Sequence, residues 1–372
     1  MRLVCDGTEF AGKLGSVAAV VPTRSPKPVL NNVLLRHDGE RLELFATDLE
    51  IAMQAELERF ETEPQPWQAL LPAAQVLSIV REIGAGQLEL EASGERLVVQ
   101  GDGSRFELLA GDPEEYPAFE AEDEGEPVAL EGEALAGMLR RCLIAVAVDS
   151  HDFSLEGVLF DLRPERLRLV ATDGNRMSLC EHVFETPVGL ESARVVPTKA
   201  ATLLQRMADG DGEAVSLRFG ARWLVAERGP LRMRAQLVQG RFPPYEQVVP
   251  TDLAHTVAFE LQPFVSALRR ATLVSDKESH AVALRFGHEL LTLRGGSPQL
   301  GHSEVQLPIA YEDDPVALPF NARLLLDALR VVSTDRVEFH FGDIGQPVVL
   351  EEPAAAFRYV VMPLEPDVAA LP

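Results

Sequence analysis

Two stretches of this chain share one pattern: Phe45-Ala46-Thr47-Asp48-Leu49-Glu50-Ile51-Ala52-Met53 and, about 125 residues on, Val170-Ala171-Thr172-Asp173-Gly174-Asn175-Arg176-Met177-Ser178-Leu179. Each reads as strand, tight turn and strand, with Asp173-Gly174 a strong hairpin signal. Repetition at a fixed spacing constrains a fold more than any local propensity. Aligning the two hairpins aligns the rest of the chain in three copies. Helix-period segments open each copy at Phe10-Ala11-Gly12-Lys13-Leu14, Leu135-Ala136-Gly137-Met138-Leu139 and Phe264-Val265-Ser266-Ala267-Leu268. Strand pairs follow: Val33–Leu35 with Leu42–Leu44, Val158–Phe160 with Leu167–Leu169, and Val282–Leu284 with Leu291–Leu293.

A second helix comes next in each copy, over Ala73–Ile83, Thr198–Ala208 and Asn321–Val332. The first two begin after Pro72 and Pro197, and the third has Asn321 as its N-cap. Closing strands lie within Leu88–Leu109, Ala214–Leu237 and Val337–Val361. The first two copies end on Glu115-Tyr116-Pro117 and Arg241-Phe242-Pro243, the third on Val360-Val361-Met362-Pro363. The expected class is therefore α+β: three tandem two-helix, antiparallel-sheet domains, at 1–126, 127–250 and 251–372. The acidic run from Glu120 to Glu126 reads as a solvated linker.

Length allows two or three domains with their own cores. No apolar run reaches membrane-spanning length, and the N-terminus lacks the pattern of a signal peptide, so a cytoplasmic protein is expected. Cys5, Cys142 and Cys180 fit no metal spacing and read as buried thiols. The net charge of -24 argues against nonspecific attachment of the outer surface to nucleic acid. Charge is not evenly spread, however. The six helices carry Lys13, Arg81, Arg140, Arg141, Lys199, Arg206, Arg269, Arg270, Arg323 and Arg330 against Glu9, Glu82, Glu133 and Asp327. They are net +6, which leaves -30 for the remainder. Basic helices in an acidic chain are either solvated faces or a phosphate-tracking surface.

Geometry favours the second. A domain of about 120 residues is roughly 35 Å across, so three in a ring leave a hole of about 5 Å and six leave about 35 Å. Only the larger hole admits a duplex about 20 Å wide with its water. Two copies of the chain, head to tail, would supply six domains and cover exposed sheet edges.

The threefold repeat, Thr172-Asp173-Gly174-Asn175-Arg176, Gly240-Arg241-Phe242-Pro243-Pro244-Tyr245 and Tyr359-Val360-Val361-Met362-Pro363-Leu364 together resemble the bacterial sliding clamps, the β subunits of DNA polymerase III. The resemblance covers the whole chain. It implies half of a six-domain homodimeric ring around double-stranded DNA, with helices lining the hole. It also implies sequence-independent DNA contact, no cofactor, no metal and no catalysis. Partners would be the polymerase catalytic subunit, the clamp loader, other polymerases and repair proteins, docking through short peptides. The family's peptide pocket corresponds here to Leu155, Thr172, Gly174, Asn175, Arg176, Met177, Pro243, Val248, Asn321, Val360, Met362, Pro363 and Leu364. Apolar walls suit an apolar anchor, and Arg176 with backbone groups would orient it. Asn175, Ser279, Gln247 and Leu324 stand where the family often carries histidine, an aromatic, arginine and tyrosine. DNA-facing positions would be Arg24, Phe153, Lys199 and Arg206, and the dimer contact Phe106, Leu108, Leu273 and Val274.

Each position has a plainer reading. Leu155 or Val360 taken singly is a core residue. Asp48 and Asp173 could pair as an acid-base dyad, but each sits in a Thr-Asp turn, where aspartate caps its own backbone. No phosphate loop, nucleophile elbow, HExxH or zinc spacing is present, which argues against an enzyme. A peptide-binding scaffold that never encircles DNA is the competing class.

Overall fold

A computed structural model describes residues 1–118, 125–150, 152–210 and 212–365. Most of the acidic 120–126 run and the last seven residues lie outside the described residues. Among the described residues six α-helices alternate with strands: α1 Gly7–Ala18, α2 Ala73–Ile83, α3 Gly132–Leu143, α4 Thr198–Ala208, α5 Leu261–Ala271 and α6 Ala322–Val331. α2 and α4 have the expected bounds. α6 begins one residue later because Asn321 is its cap, its Oδ1 accepting the Arg323 N–H at 3.0 Å. Asp6 does the same for α1 through the Glu9 amide at 2.8 Å. Phe10, Leu14 and Val17 recur every three to four residues on α1 and are fully buried, so one stripe of the helix faces the core.

The described residues pack as two compact units, 1–136 with 202–237, and 137–201 with 238–372. The middle third of the chain is thus shared between them, and the sheets show why. In the first unit, an eight-stranded sheet takes Val128–Glu131, Ala214–Phe219, Trp223–Arg228 and Leu231–Gln236 from the middle third. It continues into Ile51–Leu57, Leu42–Thr47, Asn32–His37 and Trp67–Pro72 from the first third. The seam is antiparallel, with Met233 opposite Met53 and Leu231 opposite Ala55. The second unit repeats this with Ser192–Pro197, Gly157–Arg163, Arg166–Thr172 and Arg176–Val183. These are joined to Phe357–Val361, Val348–Glu352, Arg336–Phe341 and His255–Glu260. There Tyr359 lies opposite Ser178 and Phe357 opposite Cys180. Five residue pairs join the strands at each seam, so both edges there are covered by a neighbouring strand.

The counterparts of those seam strands elsewhere in the chain stay open. Ser104–Leu109 ends a five-stranded sheet, and Gly301–Pro308 ends a four-stranded one. Beneath the second seam lies a buried charge. Glu352, 1 % exposed, accepts from the Ser333 amide at 2.9 Å and hydroxyl at 2.7 Å, the Thr334 amide at 3.0 Å and Arg141 at 3.1 Å. Burial alone would raise its pKa, but the Ser333 hydroxyl and amide, with Arg141, hold it below the ordinary carboxylate value. All three cysteines are buried and unpaired, and burial pushes the Cys5 thiol up to about 12.

Candidate partner and nucleic-acid surfaces

On one face of the second unit's large sheet, residues of six strands form one apolar cluster. Val170, Met177, Leu179, Val349 and Val360 supply it from adjoining strands, and Phe242 and Tyr245 cover it from the connector after the middle third. Leu155 packs against its margin, half-buried. Met177 and Val360 are 3 % and 2 % exposed, whereas Met362 is 39 % and Val248 51 % exposed. A buried floor with exposed apolar rims is what an apolar peptide side chain requires.

The walls are fixed by backbone chemistry. Thr172 Oγ1 donates to the Arg176 carbonyl at 2.7 Å and accepts the Gly174 amide at 3.2 Å. Asp173 Oδ1 accepts the amides of Asn175 at 3.0 Å and Arg176 at 3.1 Å. Gly174 has φ +90°, a left-handed conformation that suits glycine. The Met362 amide donates to the Asn175 carbonyl at 3.0 Å, and the Leu364 amide to the Pro319 carbonyl at 2.7 Å. The closing Met362-Pro363-Leu364 segment is therefore tied to both the turn and the strand leading to α6. Pro243 is exposed, Pro363 and Leu364 are half-buried, and the Asn321 side chain is engaged as the α6 cap.

Arg176 behaves differently from the expectation. Alternation along the strand turns its side chain to the opposite face from Met177. There it is 13 % exposed, with Nε donating to Asp173 at 2.9 Å and Nη1 to Asp327 at 2.9 Å and to the Tyr359 hydroxyl at 3.4 Å. Burial opposes its charge, but Tyr359, Asp327 and Asp173 more than compensate and raise its pKa. It braces the site rather than presenting a charge to it. Asp327 and Tyr359 were missing from the expected site, although the repeat offers a signal: they are polar where the middle copy has Leu203 and Met233.

The first unit carries the matching patch, Leu34, Phe45, Ala52, Leu70 and Tyr116. Ala52 stands there in place of Met177, so that surface has a different floor. Two cavities of about 360 and 300 Å³ also open beside the second unit's cluster, bounded by Leu179, Tyr245, Val249 and Arg358 among others.

The basic helices are only partly available. Lys13 pairs with Glu9 at 2.6 Å, Arg141 with Glu352 at 3.1 Å and Arg330 with Asp327 at 3.6 Å, so at least three of the ten charges already have internal partners. Arg24 is exposed in the loop after α1. Lys199 and Arg206 are exposed on α4, two turns apart and so on one face. Arg206 and Arg81 border a groove of about 500 Å³ floored by Ala11, Gly12 and Gly15 of α1. Phe153 opens a short 3-10 turn, and its side chain lies outside the described residues. Of the expected dimer-contact residues, Phe106 on its open edge strand is 36 % exposed and Leu108 half-buried, while in the 3-10 turn after α5 Leu273 is 77 % exposed and Val274 half-buried. Among the described residues no cluster of histidine, cysteine, aspartate or glutamate could hold a metal, and no helix is long and apolar enough to cross a membrane.

Family profiles of the DNA polymerase III beta subunit match the chain in three consecutive pieces: the N-terminal domain over residues 1–120, the central domain over 129–244 and the C-terminal domain over 246–365. The chain is 30 % identical over 373 residues to the beta sliding clamp of Caulobacter vibrioides, covering 98 % of this chain and 100 % of that one. The crystal structure of the DNA polymerase III beta subunit from Pseudomonas aeruginosa superposes with a TM-score of 0.92 at 26 % identity, covering 98 % of this chain and all of that one. A sliding clamp from the same organism bound to griselimycin superposes with a TM-score of 0.91 at 26 % identity, covering 98 % and 99 % of the two chains.

Proposed function

The chain belongs to the DNA polymerase III beta-subunit family, the bacterial sliding clamps, and from that premise we propose which of its residues meet DNA, a second copy and partner peptides. It is a non-catalytic processivity subunit that holds the polymerase on duplex DNA. We place it in the cytoplasm, where the chromosome is copied, and divide it into domains at 1–126, 127–250 and 251–372.

The observation that carries the assembly is the pair of seams. The hairpin pairing of Val99 with Phe106 corresponds to that of Ala226 with Met233 and of Leu350 with Tyr359. Likewise Gly295 with Ser303 corresponds to Ala46 with Met53 and Ala171 with Ser178. At both internal seams these two sets face each other, Met233 to Met53 and Tyr359 to Ser178. The same step applied to the open edges sets Phe106 of one copy opposite Ser303 of the other. Side chains then fall into complementary pairs: Arg105 opposite Glu304, Glu107 opposite His302, and exposed Leu109 opposite exposed Leu300. Phe106 and Leu108 share a face of their strand, as the buried Met233 and Ala235 do at the first seam, and Leu273 and Val274 would cover them. Two such joints close a homodimeric ring. Sedimentation tests this: the unmodified chain should run as a dimer, and Leu273→Asp, which puts an unpaired charge in an apolar contact, as a monomer. A dimeric mutant would place the joint elsewhere.

Peptides of the glutamine-leucine-x-leucine-phenylalanine kind would seat their leucine and phenylalanine on Leu155, Met177, Pro243, Val248, Val360 and Met362, orienting on the turn at Thr172, Gly174 and Asn175. Each buried side chain contributes roughly 1.5 to 3 kcal/mol before ordering costs, so affinity of about micromolar strength is expected. That strength lets the clamp loader, polymerases and repair proteins take turns. Arg24, Lys199 and Arg206, with Phe153 in the neighbouring loop, would face the phosphates.

A further inference from the structure

Arg176, Asp327 and Tyr359 make a polar lock at the second seam, and the positions that match them at the first are Ile51, Leu203 and Met233. Ile51 and Arg176 occupy the same ladder position, opposite Ala235 and Val361, and Met233 matches Tyr359 two pairs further along. Leu203 and Asp327 both lie six residues beyond the residue that precedes the second helix, Pro197 and Asn321. Ile51, Leu203 and Met233 are 3 %, 5 % and 0 % exposed. An apolar trio therefore joins two repeats soundly, and joining alone does not call for an ion pair. Charges removed from water are seldom better for stability than apolar residues of similar volume. The polar trio at the second seam should then have another use.

What it adds is control over the turn at 173–175. Asp173 gives one carboxylate oxygen to the amides of Asn175 and Arg176 and the other to the Arg176 guanidinium at 2.9 Å. That guanidinium is in turn fixed by Asp327 at 2.9 Å and by the Tyr359 hydroxyl, which itself donates to the Leu324 carbonyl of α6 at 2.9 Å. A continuous set of directional bonds thus runs from the turn to α6. The turn carries Gly174 and Asn175, and the Asn175 carbonyl holds the Met362 amide, so both walls of the pocket depend on it. On the other side of Asp327, Arg330 is 3.6 Å away and its side chain 72 % exposed, a contact of little weight. At the first seam Ile51 offers no guanidinium to Asp48.

We propose that Asp327 and Tyr359 are positioning residues for partner capture: acting through Arg176, they fix the 173–175 turn in the geometry a partner peptide needs, without touching the peptide. This rests on the pocket reading above. The test gives the second seam the residues of the first, in the triple variant Arg176→Ile, Asp327→Leu, Tyr359→Met. Fluorescence anisotropy with a labelled Gln-Leu-Ser-Leu-Phe peptide reads affinity, while thermal unfolding and sedimentation read fold and assembly. Expected is a folded dimer that binds the peptide at least tenfold more weakly. A folded triple variant with unchanged affinity overturns the proposal. Should the triple variant not fold, Asp327→Asn serves, since its amide oxygen still accepts from Arg176 but carries no charge. It should bind severalfold more weakly and exchange its Asn175 and Arg176 amide hydrogens faster; unchanged affinity and exchange overturn the proposal. If the unmodified chain takes no peptide, the pocket reading falls and this proposal with it. If only the variants match the unmodified chain, this proposal falls alone.

Discussion

Glu352 is a carboxylate with almost no solvent of its own, and its neighbours decide its charge. Three donors from Ser333 and Thr334 and the guanidinium of Arg141 replace the lost water. Its pKa is lowered in the fold relative to the unfolded chain. Its contribution is therefore fully present above the unfolded value of about 4.5 and is lost as pH falls through the lower folded value. Glu352→Ala should destabilise the chain by about 3 kcal/mol, the low end for breaking a buried pair, because Arg141 keeps some water. Chemical denaturation at pH 7 and again near pH 3 checks this, with the gap between variant and parent narrowing at the lower pH. The sequence does not disclose Glu352 as buried: it sits at the end of an ordinary alternating strand, and the matching residue of the middle copy is Arg228, which donates to the carbonyls of Met207 and Asp209 instead. One position thus takes opposite charges according to which helix end it meets.

Elements were easier to read than their partners. The 3.6-residue periodicity, Pro72, Pro197 and the Asn321 cap marked the second helices almost to the residue, and Thr-Asp turns marked the hairpins. Strand alternation could not say that Leu231–Gln236 would pair with Ile51–Leu57 some 180 residues away, because seam pairing depends on which edges tertiary packing leaves open. Nor did it show that Arg176 would turn inward, since that depends on Asp327 arriving from a distant helix. The open edges carry the clearest prediction at this scale. Arg105→Glu should weaken the dimer, Glu304→Arg should do the same, and the two changes combined should restore much of it, as read by sedimentation at low salt. Coupling of roughly 0.2 to 1 kcal/mol is expected for an opposed pair across strands. A double variant no better than either single would assign the joint a different register. Deleting 362–372 tests the pocket wall. The truncated chain should lose the Gln-Leu-Ser-Leu-Phe peptide by calorimetry yet keep its dimer mass, since all six described helices and both open edges remain.

For the whole molecule, the distribution of charge matters more than its sum. Replacing Arg24 and Lys199 by alanine should reduce retention on DNA, flatten its salt dependence by about one phosphate contact each, and leave peptide affinity unchanged. Retention measured on nicked circular DNA across a salt series checks the first two. The sequence made this surface legible only in outline, because counting helix charges could not tell Arg206 from Arg141, one exposed and the other committed to Glu352. The remainder of the chain, at -30 against +6 on the helices, has its own consequence. A body that repels DNA everywhere except along its helices gains little from gripping harder. Its dwell time on a template is then set by the template's geometry: how far the nearest free end lies, and whether anything blocks the way to it. Such a protein behaves as a bead threaded on a wire, lost by running off an end and not by letting go.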